Sequence, residues 1–427
     1  MRIVYLAAGA GGTYCGACMR DTLLARGLAR LGHELEFLSL YTPVKSDRTP
    51  PGSCRIFFGG INVYLQQHAG LFRHTPALFD RLLDSAWLLD FVGSRAVNTR
   101  PEDLGEMTVS VLRGEEGRQR KELRKLVRYL TREKRPDLVN ITNSLLSAVA
   151  PAIKKHLDVP VVCNLQGEDV FIERIGKPFS DEAVALIRRH AASVDAFVAS
   201  SEGYADRMAG FLAVDRSRIR VIRPGVDRSV LEARPSPPDD VFRIGYLSRV
   251  TWAKGIDLLC DAFRLVEEQS PGRSELVVAG EAVGSDHQWW HEQMTHMEES
   301  GLAGRVHYAG SPDLAGKVRF LEGLSVFCEP SRFHERQGLA VLEAQAAGVP
   351  AVLPDLGIFR EIIALTGGGV LVEPDNPHAI AEALIALRDD PDRRDALARA
   401  AASAARKHFS PENLVDRTLE LYQHLRT

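Results

Sequence analysis

The sequence has little net charge, few cysteines and no long apolar run. Its 427 residues carry a formal net charge of -3 at pH 7, and acidic and basic residues are mixed, so no positive field is present to recruit nucleic acid. Six widely spaced cysteines do not make the disulfide framework of a small secreted domain. No apolar run approaches the roughly 18 residues of a membrane-spanning helix, and the first residues lack the features of a signal peptide. We therefore expect a cytoplasmic protein that does not bind nucleic acid.

Two motifs are incomplete, and each gap disfavours a class of function. The GAGG segment has Tyr14 at the position of the third glycine of the dinucleotide-binding fingerprint, which disfavours a nicotinamide oxidoreductase. Cys15 and Cys18 form a C-x-x-C near the start of a predicted helix, where a redox or metal role is open. A zinc site needs two further ligands that the scattered cysteines do not supply, so packed, reduced thiols are the favoured interpretation. Asp390 and Asp392 fit a turn and a helix start better than a metal site, and we expect no metal.

Short β-rich runs alternate with helical patterns along the chain, which predicts parallel sheets covered by helices on both sides. The first unit is a strand at 3–7, a glycine loop at 9–12, a helix to about residue 32 and a strand at 35–40. Similar runs predict further strands at 138–141, 159–164, 196–199, 242–247, 275–279, 305–309, 324–328 and 351–354. The predicted fold class is therefore α/β, with two Rossmann-like domains.

Chain length and a change in composition locate the domain boundary. Single cores mostly stop growing below about 300 residues, so 427 residues predict two domains. A proline- and aspartate-rich stretch within 224–240 has the composition of a linker. We place the first domain at 1–225, with a helical insertion at about 71–135, and the second at 226–409. The chain ends in a predicted amphipathic helix at about 410–427.

The last part of the insertion, RQRKELRKLVRYLTREKR, is strongly basic on a helical pattern. Its cations are interleaved with the apolar residues Leu123, Leu126, Val127 and Leu130. Such a helix can rest on an anionic lipid surface, or it can cover the domain with its cations in water. The second interpretation is the more ordinary one, and peripheral contact with the inner face of the membrane stays open.

The segment from Glu335 to Glu343 sets two carboxylates eight positions apart around a glycine turn. The residues from Leu339 to Ala347 make a nearly all-apolar helix, so Glu343 lies on a buried element and needs a polar partner. Gly338 allows close approach of a ligand, and the free N–H groups of the first helical turn form an anion site suited to phosphate. The alternative is one solvated glutamate and one core glutamate paired with arginine or lysine.

A second set of charges suited to phosphate lies in SRVTWAKGIDLL. Arg249 and Lys254 follow a predicted strand and precede a helix, so both side chains can reach the mouth of the cleft beyond the carboxyl end of that strand. Arginine supplies a planar fork and lysine a mobile point charge, a pairing suited to a diphosphate. The alternative is a pair of surface cations that flank a turn.

Taken together, these motifs resemble the retaining GT-B glycosyltransferases of family four. SRVTWAKGIDLL, LVVAGE, VHYAGSP, ERQGLAVLEAQAAGVPAV and DLGIFREII occur in the order and approximate spacing of that family and cover most of the second domain. The first domain resembles it more weakly, through GAGGTY, LARLGHELEFLSL, RPDLVNITN, VPVVCNLQGED, FVASSEGYADRM and IRPGVD. The resemblance implies the GT-B fold, in which two Rossmann-like domains face a central cleft, the first holding the acceptor and the second the donor. It also implies that the C-terminal helix crosses back to complete the first domain.

The resemblance further implies roles for individual residues. Arg249 and Lys254 would hold the donor diphosphate and offset the charge on the leaving nucleotide in place of a metal. Glu335 would lie by the reacting centre, and Glu343 would accept the ribose hydroxyls. The implied donor-binding set is Gly11, Gly12, Gln166, Arg249, Lys254, Glu335, Gln337, Gly338, Leu339 and Glu343. The implied reaction is front-face displacement from a UDP-, GDP- or ADP-sugar, with no metal or other cofactor.

This chain departs from the family at Gln166, where many relatives have a histidine. A glutamine can hydrogen-bond a sugar hydroxyl but cannot act as a general base near neutral pH, which leaves the acceptor proton to the donor phosphate, Glu168 or Asp169. A polar loop with a helix cap at Asp169 is the alternative for this segment. The favoured function is a retaining hexosyltransferase acting on a sugar, lipid or small-molecule acceptor. The alternatives are an inactive sugar-nucleotide-binding partner or regulator and, ranked last, an epimerase.

Overall fold

The structure, a computed structural model, describes residues 1–9, 15–52, 56–58, 66–67, 101–237, 240–284 and 286–426. The chain divides into two units, and each is described by itself. Unit 1 comprises Met1–Arg223 and Leu414–Thr427, and unit 2 comprises Pro224–Asn413.

In the described part of unit 1, seven parallel strands form one sheet in the order β3-β2-β1-β4-β5-β6-β7. The strands are β1 (Arg2–Ala7), β2 (Glu34–Leu40), β3 (Ile56–Phe57), β4 (Leu138–Ile141), β5 (Val161–Asn164), β6 (Ala196–Ala199) and β7 (Ile219–Val221). The helices are α1 (Gly16–Arg30), α2 (Gly105–Leu112), α3 (Arg120–Tyr129), α4 (Val149–Leu157), α5 (Glu168–Arg174), α6 (Phe179–Ala191) and α7 (Glu202–Leu212). Strand order reverses between β1 and β4, which is where open α/β sheets bind ligands.

Unit 2 repeats this plan with six described parallel strands in the order β10-β9-β8-β11-β12-β13. The strands are β8 (Phe242–Leu247), β9 (Ser274–Ala279), β10 (Val306–Tyr308), β11 (Val326–Cys328), β12 (Ala351–Pro354) and β13 (Gly369–Val372). The helices are α8 (Arg228–Leu231), α9 (Ile256–Gln269), α10 (Asp286–Glu299), α11 (Leu314–Glu322), α12 (Leu339–Ala346), α13 (Ile358–Thr366), α14 (Pro377–Asp389) and α15 (Pro391–His408). Here the order reverses between β8 and β11.

Each sheet is buried on both faces, which explains the continuous apolar runs of its strands. Successive residues of β1 enter different cores: Leu6 packs in the cluster that contains Leu126 of α3, whereas Tyr5 packs in the cluster on the opposite face. Tyr5 stacks on Phe37 of β2 with ring centroids 5.3 Å apart. The same alternation in unit 2 divides its apolar residues between two clusters.

The last helix, α16 (Pro411–His424), contributes to unit 1. Four of its apolar or aromatic side chains, Leu414, Val415, Leu421 and Tyr422, lie in the core beside β1. The Tyr422 hydroxyl donates to Asn140 Oδ1 of β4 at 2.9 Å.

The predicted α/β class with two Rossmann-like domains is confirmed. The ten predicted strands all form, and their largest offsets, two residues, are at 159 against Val161 and at 324 against Val326. Pro160 has no N–H to donate, which explains the late start of β5. The short strands β3, β7 and β13 were not predicted.

The described part of the predicted insertion is helical, while its first thirty residues, 71–100, lie outside the described residues. Its interleaved apolar residues Leu123, Leu126, Val127 and Leu130 pack into the core of unit 1. This packing leaves four arginines, Arg120, Arg124, Arg128 and Arg132, exposed at intervals of four residues. No helix among the described residues has both the length and the apolar character needed to cross a bilayer.

Candidate functional site

The loops that follow β8 and β11 meet in unit 2 because the two strands are parallel neighbours, with Val326 beside Ile244. The first loop ends in a short 3₁₀ turn, Trp252–Lys254. The Lys254 Nζ donates to Glu329 Oε1 at 2.8 Å and is also hydrogen-bonded to Glu335 Oε2. The structure therefore joins Lys254 and Glu335, two predicted site residues, through an ion pair and adds a third charge, Glu329.

The electrostatics of this cluster are set by burial and by Lys254. Burial alone would raise the pKa of Glu335, but the charge and hydrogen bond of Lys254 outweigh it and lower that pKa to about 2. Burial raises the pKa of Glu329, although Lys254 acts in the opposite direction. For Lys254, burial lowers the pKa, but the two carboxylates prevail and raise it. The lysine is therefore a fixed cation at neutral pH.

Arg249 lies in the same loop and is exposed. Its backbone carbonyl accepts a hydrogen bond from the Tyr246 hydroxyl at 2.7 Å, which fixes the loop just after β8. Its positive charge acts on Asp286, the first residue of α10: burial raises the pKa of Asp286 and Arg249 partly offsets that rise. Arg249 thus offers an exposed cation in the loop that ends at Lys254 and its buried and half-buried carboxylate partners.

The start of α12 forms the second part of the site. Gly338 caps this helix with φ +63 and no side-chain cap, and the first turn holds no acidic residue. A Cβ at Gly338 would lie 2.5 Å from Ile362 Cδ1, so the position favours glycine both by conformation and by space. The backbone N–H of Arg336 donates to Glu335 Oε1 at 3.1 Å. The predicted residues Gln337 and Gly338 are buried, and Leu339 is half-buried. An uncapped helix start of this kind can bind an anion.

Glu343 is paired with Lys317 of α11. The Lys317 Nζ lies 2.8 Å from Glu343 Oε1, and both side chains are buried. The predicted polar partner of Glu343 is therefore Lys317. A core glutamate paired with lysine is the alternative interpretation given for this segment. Lys317 was not predicted, although it takes an apolar position on its helix, three residues after Leu314 and four before Leu321.

Arg332 holds the two loops together, a role that the sequence did not predict. Its guanidinium donates to both carboxylate oxygens of Asp257 at 2.7 Å and to the backbone oxygen of Trp252 at 2.7 Å. It lies over the Trp252 ring, 4.5 Å from the centroid. Behind it, a Cβ at Gly255 would collide with the carbonyl of Pro330. The loops of Lys254 and Glu335 are thus held in close contact.

In unit 1, Gln166 belongs to a buried polar network at the carboxyl ends of β1, β4 and β5. Its Nε2 donates to the backbone oxygen of Thr142 at 2.8 Å and to Asp21 Oδ1 at 3.1 Å. The Tyr5 hydroxyl donates to the same Asp21 oxygen at 2.5 Å. Burial raises the pKa of Asp21, and the charge of Arg20 opposes that rise. The predicted residues Gly11 and Gly12 lie outside the described residues.

Glu168 and Asp169, the two side chains named as alternatives to the donor phosphate for taking the acceptor proton, begin helix α5 and are buried. Glu168 accepts hydrogen bonds from the backbone N–H groups of Gln166 at 2.7 Å and Ser144 at 3.0 Å. Asp169 pairs with Arg207 at 2.6 Å. Both carboxylates therefore bind groups of unit 1 that hold the loop in place. Among the described residues, no cluster of three or more metal-ligating side chains is present.

Two family models match the chain, one in each half. Residues 20–225 match the "Glycosyl transferase 4-like domain", and residues 227–404 match "Glycosyl transferases group 1". The chain is similar to D-inositol 3-phosphate glycosyltransferase 1 of Catenulispora acidiphila, with 28% identity over 86% of this chain and 90% of the relative. It is also similar to the lipopolysaccharide core biosynthesis mannosyltransferase LpsB of Rhizobium meliloti, with 30% identity over 56% of this chain and 67% of the relative.

Solved structures show a likeness of fold. Anabaena Alr3699/HepE in complex with UDP superposes with a TM-score of 0.69 at 17% identity, covering 99% of this chain and 100% of that one. Sucrose-phosphate synthase from Thermosynechococcus elongatus superposes with a TM-score of 0.72 at 17% identity, covering 100% of this chain and 99% of that one. Identities this low support the shared fold alone.

Proposed function

The chain belongs to the glycosyl transferases group 1 family and has the GT-B fold, and from this premise we propose that it transfers a hexose from a nucleotide-sugar donor to an acceptor with retention of configuration and without a metal. The observation that carries the proposal is the cluster of Lys254, Glu335 and Glu329. Lys254 follows the exposed Arg249 in the loop after β8, and the two glutamates lie in the loop between β11 and the start of α12, which has no side-chain cap. A cation, a carboxylate and a free helix start suit an anionic, hydroxyl-rich ligand.

Arg249 and Lys254 bind the donor diphosphate in this proposal. The exposed guanidinium offers two parallel donors to phosphate oxygens, and Lys254, kept protonated by its two carboxylates, supplies a fixed positive charge. As the bond from the anomeric carbon to the diphosphate breaks, these cations stabilise the charge that develops on the leaving oxygen. The acceptor oxygen forms its bond on the same face, and the leaving phosphate oxygen takes the acceptor proton.

Glu335, Gln337, Gly338 and Leu339 contact the sugar and the phosphate. The low pKa of Glu335 keeps it ionised, so it acts as a hydrogen-bond acceptor for sugar hydroxyls rather than as an acid. Glu343, oriented by Lys317, accepts hydrogen bonds from the ribose hydroxyls. The family resemblance also assigns Gly11, Gly12 and Gln166 to donor binding.

The donor proposed is UDP-, GDP- or ADP-sugar, and two solved structures of similar fold are complexes with UDP. The acceptor proposed is a sugar, a lipid or another small molecule. We also propose a cytoplasmic location with peripheral contact between the membrane and the exposed arginines of the insertion.

Calorimetric titration with UDP, GDP and ADP, without metal, tests the donor site. We expect tight binding of one nucleotide and at least a tenfold loss in Arg249→Ala and Glu343→Gln. Arg319→Ala removes an exposed arginine of α11 and serves as the matched control with unchanged binding. Binding of none of the three nucleotides overturns the donor site.

Transfer itself needs a second measurement. The sugar nucleotide that corresponds to the bound nucleotide is incubated with a panel of acceptors, and the anomeric configuration of the product is read by NMR. An α-linked product from an α-linked donor supports retention, and a β-linked product contradicts it. Tight binding without turnover favours the alternative, a sugar-nucleotide-binding protein that regulates a partner.

A further inference from the structure

The C-x-x-C of unit 1 occupies the first turn of α1. Cys15 is the N-cap residue, with extended backbone angles of φ -139 and ψ 129, and Cys18 lies three residues later inside the helix. Side chains at these two positions face each other, as they do in a capping box. The two thiols are in hydrogen-bond contact, and both cysteines are reduced.

The two thiols differ in their access to solvent. Cys15 is half-buried, whereas Cys18 is 5% exposed. The hydrogen bond with Cys15 and burial both raise the pKa of Cys18, which makes it a poor first nucleophile. Cys15 lies at the positive end of a helix whose first turn holds no acidic residue. This asymmetry is that of an attacking thiol and a resolving thiol.

The other described cysteines lack this arrangement. Cys163 and Cys328 lie inside strands, Cys260 lies inside α9, and all three are fully or nearly fully buried. Within the described ranges, therefore, the start of α1 is where an accessible thiol has a second thiol in contact with it.

We propose that Cys15 and Cys18 form a redox-active dithiol that is oxidised reversibly to an intramolecular disulfide by exchange with a small-molecule disulfide. The Cys15 thiolate attacks one sulfur of the reagent, whose S–S bond breaks and releases one thiolate. Cys18 then loses its proton and attacks Cys15 Sγ, which releases the second thiolate. The protein loses two protons and two electrons, and the reagent gains them and becomes two thiols.

Oxidation of Cys15 and Cys18 would affect the hydrogen-bond network around Gln166. Asp21 lies one turn after Cys18 on α1, and its carboxylate accepts from Gln166 and Tyr5. A covalent bridge across the first turn restrains the segment that carries Asp21. We expect the disulfide form to transfer sugar more slowly. This expected effect rests on the proposed function, whereas the formation of the disulfide is independent of it.

Thiol trapping tests the proposal directly on the full-length protein. The reduced protein is equilibrated with oxidised and reduced glutathione at several ratios, quenched with acid, alkylated and digested with trypsin. Cleavage after Arg2 and Arg20 places both cysteines in the peptide 3–20. We expect this peptide to change from doubly alkylated to an internal disulfide as the ratio rises, and to return with excess reduced glutathione.

Single variants assign the two roles. Cys18→Ser is expected to accumulate a stable mixed disulfide of Cys15 with glutathione, because the resolving thiol is gone. Cys15→Ser is expected to stay at least tenfold less modified, and Cys54→Ser to form the disulfide as the parent does. A peptide 3–20 that stays doubly alkylated in oxidised glutathione alone overturns the proposal, as does equal modification of the two single variants. Circular dichroism confirms that each variant is folded.

Discussion

Lys254 is the residue that fixes the charge state of the unit 2 site. A lysine with two carboxylate partners stays protonated, and one partner, Glu335, becomes a stronger acid in return. Glu329, behind the lysine at 2% exposure, has its pKa raised by burial. In the proposed donor site, a bound diphosphate would replace one of these carboxylates as the partner of Lys254.

Glu335 makes unfolding depend on pH in a defined direction. Its folded pKa of about 2 lies below its ordinary value of 4.5, so its stabilising contribution is complete above about pH 4.5 and is lost as the pH falls towards 2. Urea unfolding of the wild type and of Glu335→Gln should therefore show a stability difference, on the order of 3 kcal/mol near neutral pH, that shrinks below pH 4.5. The exposed Glu382→Gln is the control, and a pH-independent difference would contradict the assignment.

The sequence can reveal that a buried acidic residue needs a partner, but it does not show which residue that partner is. Glu343 was recognised because an acid on an all-apolar helix needs a partner, but its partner could be named only as polar. Lys317 lies twenty-six positions away, and only the packing of α11 on α12 brings the two together. The same holds for Arg332 and Asp257, seventy-five positions apart, whose pairing depends on the contact between the loop after β11 and the start of α9.

At the scale of elements, strand prediction succeeded where the apolar run was long enough. The strands β4, β6 and β12 are continuous buried runs, and β1 and β8 are buried over most of their length. Strand β3 is two residues long and β7 three, so neither gives a periodic signal. The order of the strands, and hence the pairing of the loops after β8 and β11, follows from right-handed crossover connections rather than from any local pattern.

Helix α3 and the turn after it present a stripe of four arginines that the core does not use. The apolar face of the helix is buried in the core. Only its charged face can therefore contact either anionic lipid or water. We expect the protein to sediment with vesicles that contain anionic lipid, since each basic residue near such a surface contributes about 1 kcal/mol. The double variant Arg124→Glu with Arg128→Glu should lose most of this binding.

The matched control for the arginine stripe lies on α15. Arg399→Glu with Arg406→Glu changes the net charge by the same amount at two exposed arginines of another surface. Equal loss of vesicle binding in both double variants would mean that net charge, and not the stripe, recruits the protein. Failure of the wild type to sediment at low salt would exclude the proposed contact altogether.

At the scale of the molecule, each unit has its own buried core on both faces of its sheet. The last helix adds Tyr422 and its neighbours to unit 1, after a chain of nearly two hundred residues has formed unit 2. Such a connection means that the two ends of the sequence fold into one core. The donor site proposed on Lys254 and Glu335 belongs to the other unit.

This division predicts that a core substitution and a nucleotide act on different parts of the chain. Tyr422→Ala removes a fully buried side chain and should destabilise unit 1 by about 3–5 kcal/mol. Tyr422→Phe, which loses only the hydrogen bond to Asn140, should cost about 1 kcal/mol.

In hydrogen exchange, Tyr422→Ala should lower the protection of β1 and β4 and leave β8 and β11 unchanged. A nucleotide at about one hundred times its Kd should raise protection in β8 and β11 by about 2.7 kcal/mol. A loss of protection in β8 and β11 of Tyr422→Ala as large as that in β1 and β4 would contradict the division.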